Sequence, residues 1–337
     1  MILNQGFDHH GLIIMALTRG FDSLAHLLTG SATVAAIVIS QSVAVYAKTG
    51  DEVYKIAVPV TVQINSDLGG GTGVIIAKDG NSAAAYVSRG LARYNLKDYQ
   101  GAISDYDKAL KIDPNNADAY INRGLARYNL KDYQGAISDY DKALKIDPNN
   151  ADAYINRGLA RSELKDYQGA ISDYDQALKI NPNYAEAYNN RGVVLGKLKD
   201  YQGAISDFDK ALKIDPNYAA AYNNRGLARN NLKDYQGAIS DYNMAIKIDP
   251  NFAAAYSNRG NTRNNLKDYQ GAISDCDKAI KIDPNNAAAY VNRGVALYMV
   301  GDKRKARGDW ETGAQLNRQQ GNEDGYKNAM DNLRNFK

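Results

Sequence analysis

Six of the seven prolines of this 337-residue chain recur at one fixed spacing, which constrains the fold more than any other feature. A period of 20 to 50 residues indicates tandem supersecondary units, each packing mainly on its neighbours. Aligned on the prolines, residues 83–320 divide into seven repeats of 34 residues. The prolines lie in Asp-Pro-Asn or Asn-Pro-Asn triplets at Pro114, Pro148, Pro182, Pro216, Pro250 and Pro284.

Each repeat contains two helical patterns, as the second repeat, 117–150, illustrates. The first helix is predicted over 117–130, and Asn115 is its predicted N-cap because the preceding proline ends the helix before it. The second helix is predicted over 133–146, with Asp132 as its cap. The sequence therefore predicts an all-α chain of helix pairs.

Residue size predicts how the two helices of a repeat pack. Gly124, Ala136 and Ala143 are small, so they allow two antiparallel helices to approach closely. One pair cannot bury its own apolar face, so neighbouring pairs must stack into a solenoid. The predicted bulky packing residues of this repeat are Tyr120, Leu130, Tyr133, Ile137, Tyr140, Leu144 and Ile146.

This spacing of large and small residues resembles the tetratricopeptide repeat (TPR). The resemblance implies an α-solenoid, a right-handed superhelix in which the first helix of each pair lines a concave groove. It also implies that the groove binds peptides or partner proteins. The residues that carry the resemblance in the second repeat are Tyr120, Gly124, Ala136, Tyr140, Ala143 and Pro148.

Two arginines depart from the family pattern, which has Leu just before the glycine and Tyr three residues after it. Arg123 and Arg127 stand there, and two arginines at i, i+4 repel each other unless acids lie close. We predict a structural Arg–Asp ladder between repeats; an arginine-lined anion site is the alternative. The predicted acidic partners are Asp139 and its equivalents Asp105, Asp173, Asp207, Asp241 and Asp275.

The C-terminal residues 321–337 are predicted to form a capping helix. The seventh repeat keeps Trp310 in register and then loses its proline, and Tyr326, Met330 and Leu333 share one helical face after it. A solenoid needs such a helix to cover its last apolar face.

Residues 1–47 are predicted to be a signal peptide or a membrane anchor. Residues 23–47 contain no Asp, Glu, Lys or Arg, and the small residues Val45 and Ala47 fit a signal-peptidase site after Ala47. The same stretch is long enough to span a bilayer if it is not cleaved; a buried helix is the third alternative. We therefore expect an extracytoplasmic protein, periplasmic or secreted, or one anchored by residues 23–47.

Residues 48–82 are predicted to hold a short β-hairpin. Val58, Val60, Val62 and Ile64 alternate with other residues before a glycine-rich turn at 69–73. The segment resembles the opening strands of secreted bacterial trypsin-like proteases, in which a catalytic histidine follows. Because no histidine follows His26, a Ser-His-Asp triad is excluded there. We interpret the hairpin as a truncated remnant or a small adaptor hairpin.

Composition excludes several further functions. A net charge of +3 gives no general attraction to nucleic acid. A single cysteine, Cys276, excludes an intrachain disulfide and is predicted to be a buried thiol. The sequence thus predicts no enzyme, cofactor or metal. It predicts a scaffold for a protein or peptide partner; alternatives are a self-assembling subunit, hence a homo-oligomer, and a hydrolase derived from the protease-like segment.

The groove residues follow from the family geometry applied to the first helices. The early repeats offer aliphatic and aromatic residues there, the later ones asparagines, whose amides suit the backbone of an extended peptide. The basic residues of a carboxylate clamp are missing. Asn122 and its equivalents are alternatively consensus residues that hold neighbouring helices, whereas Asn189, Asn223, Asn230 and Asn264 have no such structural role in the consensus. The predicted groove residues are Asp118, Ile121, Asn122, Leu125, Tyr128, Ile155, Asn156, Asn189, Asn190, Asn223, Asn224, Asn230, Asn258, Asn261 and Asn264.

Overall fold

A computed structural model describes residues 33–39, 42–49, 52–54 and 82–336 of the chain. The chain divides into two compact units, Met1–Leu164 and Lys165–Lys337. Both units contain helices in tandem pairs, which confirms the predicted TPR solenoid class.

The first unit begins with three short strands, β1 (Thr33–Ile39), β2 (Ser42–Thr49) and β3 (Glu52–Tyr54). They form an antiparallel sheet in the order β1-β2-β3, with Ala36 opposite Val45. β1 and most of β2 lie in the uncharged stretch 23–47. The hairpin predicted around 58–78, with its protease-like pattern, lies outside the described residues. Within the ranges that the structure describes, no helix is long and apolar enough to cross a membrane.

The helices alternate between the first helix of a repeat, called the A helix, and the second, the B helix. Odd-numbered helices from α1 to α13 are A helices, and even-numbered ones are B helices. The first unit contains α1 (Ala83–Asn95), α2 (Tyr99–Ile112), α3 (Ala117–Asn129), α4 (Tyr133–Ile146) and α5 (Ala151–Glu163). The second unit contains α6 (Tyr167–Ile180), α7 (Ala185–Lys197), α8 (Tyr201–Ile214), α9 (Ala219–Asn231), α10 (Tyr235–Ile248), α11 (Ala253–Asn265), α12 (Tyr269–Ile282), α13 (Ala287–Met299), α14 (Lys303–Gln319) and α15 (Glu323–Arg334).

The predicted bounds of α4 are confirmed, α3 ends one residue earlier than predicted, and one predicted cap is wrong. Asp132 caps α4, with its Oδ1 accepting from the Gly135 N–H at 3.0 Å. Asn116, not Asn115, caps α3: the Asn116 Oδ1 accepts from the Ala119 N–H at 2.9 Å. An N-cap side chain must lie three residues before the N–H that it accepts from, and Asn115 is one residue too early.

A and B helices approach closely because a glycine faces a ring. A Cβ on Gly124 would lie 2.6 Å from Tyr140 Cε1, so only glycine fits beneath this fully buried tyrosine. Ala136 and Ala143 are also fully buried, as predicted. Leu130 and Ile146 are 39% and 38% exposed, so the prediction that they pack in the core is wrong. Leu130 is the C-cap of α3 and Ile146 ends α4, where no neighbouring helix covers them.

The position of Tyr140 holds other large or apolar residues in later repeats. Phe208, Cys276 and Trp310 occupy it and are all buried. Burial, followed by the charge of Asp275, raises the pKa of the Cys276 thiol to about 12. The prediction of a buried thiol is therefore confirmed.

A buried ion-pair network connects the helices, and it confirms the predicted Arg–Asp ladder. Arg123 donates from Nε and Nη2 to the two carboxylate oxygens of Asp139, at 2.9 and 2.5 Å. Arg127 donates from Nη1 to the same carboxylate at 2.9 Å. The Asp139 side chain is fully buried. Because a carboxylate of the same chain takes these donors, the alternative of an open anion site is wrong.

The ladder includes a second acid that the sequence analysis missed. Arg123 Nη1 donates to Asp107 Oδ1, on the B helix of the preceding repeat, at 2.5 Å. The guanidinium also lies over the Tyr120 ring, 5.4 Å from its centroid. One arginine thus joins both helices of its own repeat to the repeat before it.

Later repeats repeat this geometry with small changes. Arg225 contacts Asp241 and, one repeat earlier, Asp209. Arg259 has Asn243 in place of the earlier acid, with Nη1 donating to the amide oxygen at 2.5 Å.

The fourth repeat has a single arginine on its acid, because Leu195 replaces the second one. Arg191 Nε donates to Asp207 at 2.6 Å, and the other cation is Lys210 Nζ at 3.5 Å. The hydrogen bond to Asp207 is the largest influence on the pKa of Arg191 and outweighs desolvation, so the pKa rises. Because the pKa of Arg191 is raised on folding, the charged arginine stabilises the fold at every pH below its ordinary pKa. The Arg191–Asp207 pair is therefore charged throughout the neutral range.

The predicted capping helix is confirmed as α15. Tyr326, Met330 and Leu333 pack against the cluster around Trp310, and the Phe336 ring lies 6.1 Å from the Trp310 ring. The last B helix is therefore covered.

We expect Arg191→Leu to destabilise the second unit more than Arg225→Leu does. Arg191→Leu leaves buried Asp207 with only a lysine, at 3.5 Å, and should lower the free energy of unfolding by about 3–5 kcal/mol. In Arg225→Leu, by contrast, Asp241 still has Arg229 at 2.8 Å. Urea unfolding of the two variants measures the difference. Adding Asp207→Asn to Arg191→Leu should recover part of the loss; additive effects of the two changes would contradict the coupling.

We expect Lys131→Gly to stabilise the protein by about 1 kcal/mol, because this residue follows the C-cap of α3 in a left-handed conformation, with a φ of 63°. The seventh repeat has Gly301 there, with a φ of 94°. The reverse change, Gly301→Lys, should lower the thermal midpoint. Equal midpoints for all three proteins would show that the turn conformation costs nothing.

Candidate peptide-binding face of the A helices

The predicted groove residues occupy recurring positions of the A helices. Counting from the first helical residue, so that Ala117 is position 1, they stand at positions 2, 5, 6, 9 and 12. The structure separates these positions by burial, and only some of them lie on an accessible face.

Position 5 is buried from the third repeat onward. Ile155, Asn189 and Asn223 are 3%, 5% and 7% exposed. In the second unit, the asparagines at this position lie between successive A helices rather than on an open surface.

Asparagines at positions 5 and 6 bond one another across the second unit. Asn224 Nδ2 donates to Asn189 Oδ1 at 3.0 Å, and Asn258 Nδ2 donates to Asn223 Oδ1 at 2.9 Å. The interpretation that Asn189 and Asn223 have no structural role is therefore wrong. The consensus role expected of position 6, holding the neighbouring helix, is what Asn224 and Asn258 perform here.

Position 12 makes similar ties further along the A helices. Asn230 Oδ1 accepts from Thr262 Oγ1 at 2.9 Å and from Asn265 Nδ2 at 3.3 Å. Asn264 Nδ2 donates to the Asn292 carbonyl oxygen at 2.8 Å. These amides also join neighbouring A helices, so their hydrogen-bonding groups are already used in part.

Position 9 is the apolar position that stays accessible. Leu91 is 45% exposed in the first unit, and Leu227 is 43% exposed in the second. Leu125 is half-buried, as are Val193 and Asn261 at the same position. Among the remaining predicted residues, Asp118 is exposed. The half-buried ones are Ile121, Asn122, Tyr128, Asn156 and Asn190.

In the first unit, aromatic pairs flank this face. Tyr94 and Tyr128, at position 12, lie edge-on to Tyr99 and Tyr133, with ring centroids 5.4 and 5.3 Å apart. Asn129 Nδ2 donates to the Tyr94 hydroxyl at 3.0 Å, joining two A helices.

The accessible face of the A helices carries an exposed leucine and tyrosines in the first unit and, described separately, an exposed leucine and amides in the second. It suits apolar anchors and backbone hydrogen bonds rather than ionic recognition. Across the described ranges, no three His, Cys, Asp or Glu side chains are grouped so that they could hold a metal ion.

Models of known protein families match most of the helical part of the chain. Models described as tetratricopeptide repeat match residues 117–150, 185–218, 219–252, 253–286, 139–172 and 276–308, and a model described as TPR repeat matches 90–131 and 162–199. Together the matches run from residue 90 to residue 308. The chain belongs to the tetratricopeptide repeat family, whose fold generally serves as a protein-interaction scaffold.

Solved structures are similar in fold. A tetratricopeptide repeat protein from Parabacteroides merdae aligns with a TM-score of 0.62 and 22% identity, covering 74% of this chain and 98% of that one. Pseudomonas aeruginosa pilF aligns with a TM-score of 0.54 and 22% identity, covering 61% and 94%. Yeast Tom70 aligns with a TM-score of 0.52 and 23% identity, covering 74% and 53%. No curated protein sequence matches the chain significantly.

We expect Asn223→Ala to destabilise the second unit by about 1–2 kcal/mol, because the change removes the acceptor of the Asn258 amide between two helices. Asn231→Ala is the matched control: this exposed asparagine donates only to the Leu227 carbonyl of its own helix, and its removal should change stability by about 0.5 kcal/mol or less. Urea unfolding measures both. Equal effects would mean that the inter-helix pairs do not stabilise the array.

Proposed function

We propose that this chain is a non-enzymatic scaffold that binds an extended segment of a partner protein along the A helices of the second unit. The exposure of Leu227 on α9 is the observation that carries the proposal. The A helices on either side of α9 carry half-buried amides, Asn190 on α7 and Asn261 on α11. Binding a peptide there would remove apolar surface from water.

The ladder supports the same assignment by elimination. Its arginines at positions 7 and 11 of the A helices are committed to buried or partly buried acids, so they offer little to a ligand. Position 9 lies between them in sequence, and Leu227 at this position of α9 is exposed. The face with apolar and amide groups is therefore the one available to a peptide.

We expect Leu227→Lys to weaken peptide binding at least tenfold. Peptides selected from a random nonapeptide phage library against the full chain are the probes, and fluorescence anisotropy measures their affinity. Leu266→Lys is the matched control, since this leucine is also exposed, at 37%, but ends α11 at the A–B turn. Equal losses in both variants, or a loss only in Leu266→Lys, would place the binding surface elsewhere.

Self-association is a second candidate, favoured by a row of apolar residues at the A–B turns. Leu198, Leu232, Leu266 and Val300 are 41%, 39%, 37% and 42% exposed. Light-scattering mass over a range of concentrations tests it. A mass above that of one chain, which Leu266→Lys lowers, would favour assembly through the turns.

The N-terminal region leads to a separate proposal, that the protein is exported or anchored. The uncharged residues 23–47 support it. We expect cleavage after Ala47, giving a mature N-terminus at Lys48, or else an uncleaved chain that sediments with membranes. N-terminal sequencing and fractionation of the native protein measure the outcome, and an uncleaved chain in the cytoplasm would contradict both forms of the proposal.

A further inference from the structure

One A-helix position in the second unit lacks the side chain that its counterparts supply. Gly196 stands at position 12 of α7, where other A helices carry Tyr94, Tyr128, Asn230 or Asn264. A Cβ built on Gly196 would meet no atom within 4 Å. The helix surface is open there.

The first repeat shows what fills the equivalent space. The Tyr94 ring lies edge-on to Tyr99, with centroids 5.4 Å apart and planes at 64°. Its hydroxyl accepts a hydrogen bond from Asn129 Nδ2, on the next A helix, at 3.0 Å. The ring edge and the amide together define a place for a phenol.

Both partners of that phenol recur around Gly196. Tyr201 begins α8 as Tyr99 begins α2, and Asn231 ends α9 as Asn129 ends α3. Asn231 Nδ2 donates to the Leu227 carbonyl at 2.8 Å, as Asn129 Nδ2 does to the Leu125 carbonyl at 2.9 Å. The second bond of Asn129, to a tyrosine hydroxyl, has no counterpart at Asn231, because the ring is missing.

Apolar residues precede and follow Gly196 along the chain and belong to one cluster. Val193, Leu195 and Tyr201 pack together against buried Phe208. Leu227, the exposed leucine of the proposed binding face, lies four residues before Asn231 on the same helix and accepts its amide bond. The gap is therefore close to the apolar anchor of that face.

We infer that the space at Gly196 binds a tyrosine side chain of the partner peptide, with its ring against Tyr201 and its hydroxyl accepting from Asn231 Nδ2. The inference rests on the proposed function and specifies its ligand. A phenol satisfies both groups at once, as Tyr94 does within the chain. Phenylalanine would make the ring contact with Tyr201 but no hydrogen bond. An aliphatic side chain would make neither the ring contact nor the hydrogen bond.

Filling the space from within the chain is the first test. Gly196→Tyr should fold and should raise the thermal midpoint, because it restores the contact that Tyr94 makes. The same change should weaken the binding of tyrosine-containing library peptides at least tenfold. Gly308→Tyr is the matched control, since Gly308 is an exposed mid-helix glycine of α14 with open space around it, and it should leave peptide affinity unchanged.

Removing the hydroxyl partner is the second test. A selected peptide should bind the parent about fivefold more tightly than its Tyr→Phe version does. In Asn231→Ala this ratio should fall to about one, while the Phe peptide keeps its affinity. Asn95→Ala, at the same position in the first A helix, should leave the ratio unchanged.

The outcomes separate the inference from the function on which it rests. One outcome would overturn the tyrosine site and support the peptide-binding face. In that outcome, the selected peptides lack tyrosine, still bind the Gly196→Tyr variant and no longer bind the Leu227→Lys variant. If no library peptide binds the full chain, both proposals fail. A Tyr preference that survives Asn231→Ala would overturn the assigned hydrogen bond.

Discussion

The rest of the structure depends on one interaction, the pairing of a buried aspartate with arginines of the facing helix. Asp139 would be costly to bury alone, because an ionised carboxylate loses its hydration. Arg123 and Arg127 share its two oxygens, and Arg123 also reaches Asp107 in the preceding repeat. The same guanidinium therefore fixes the helix pair and its register on the neighbouring pair. Close packing at Gly124 completes the joint.

This joint leaves a different chemistry for the accessible face of the A helices. The ladder uses the recurring arginines, and asparagine pairs such as Asn223 and Asn258 use amides to hold successive A helices together. The groups that stay available are the exposed leucines, of which Leu227 is one, and the space beside Gly196. The partner peptide that we propose for this face brings apolar and phenolic side chains rather than charge.

The repeat, the helix bounds to within one residue and the main ion pair could be predicted from the order of the amino acids alone. The proline period fixed the length of the unit, and local capping rules placed α4 from Asp132 onward. The acid at Asp139 was predictable because two arginines four residues apart require a nearby anion within the same helix pair. Burial of Cys276 followed from its place in the aromatic position of the repeat. These features rest on short-range spacing, which the chain carries explicitly.

Tertiary packing, rather than local sequence, sets which residues at equivalent repeat positions are buried. Ile121 and Ile155 are the same residue type at position 5 of successive A helices, yet Ile155 is buried and Ile121 is only half-buried. In the second unit, the asparagine at this position, Asn189, is buried in a pair with Asn224. The partners in such pairs stand 35 residues apart, beyond any local pattern, and their burial depends on how closely one helix packs on the next. For the same reason, the sequence analysis did not predict the role of the inter-repeat acid Asp107 or the open space at Gly196. A periodic sequence specifies that helices stack, whereas the side chains that meet between stacked helices decide which groups are left for a ligand.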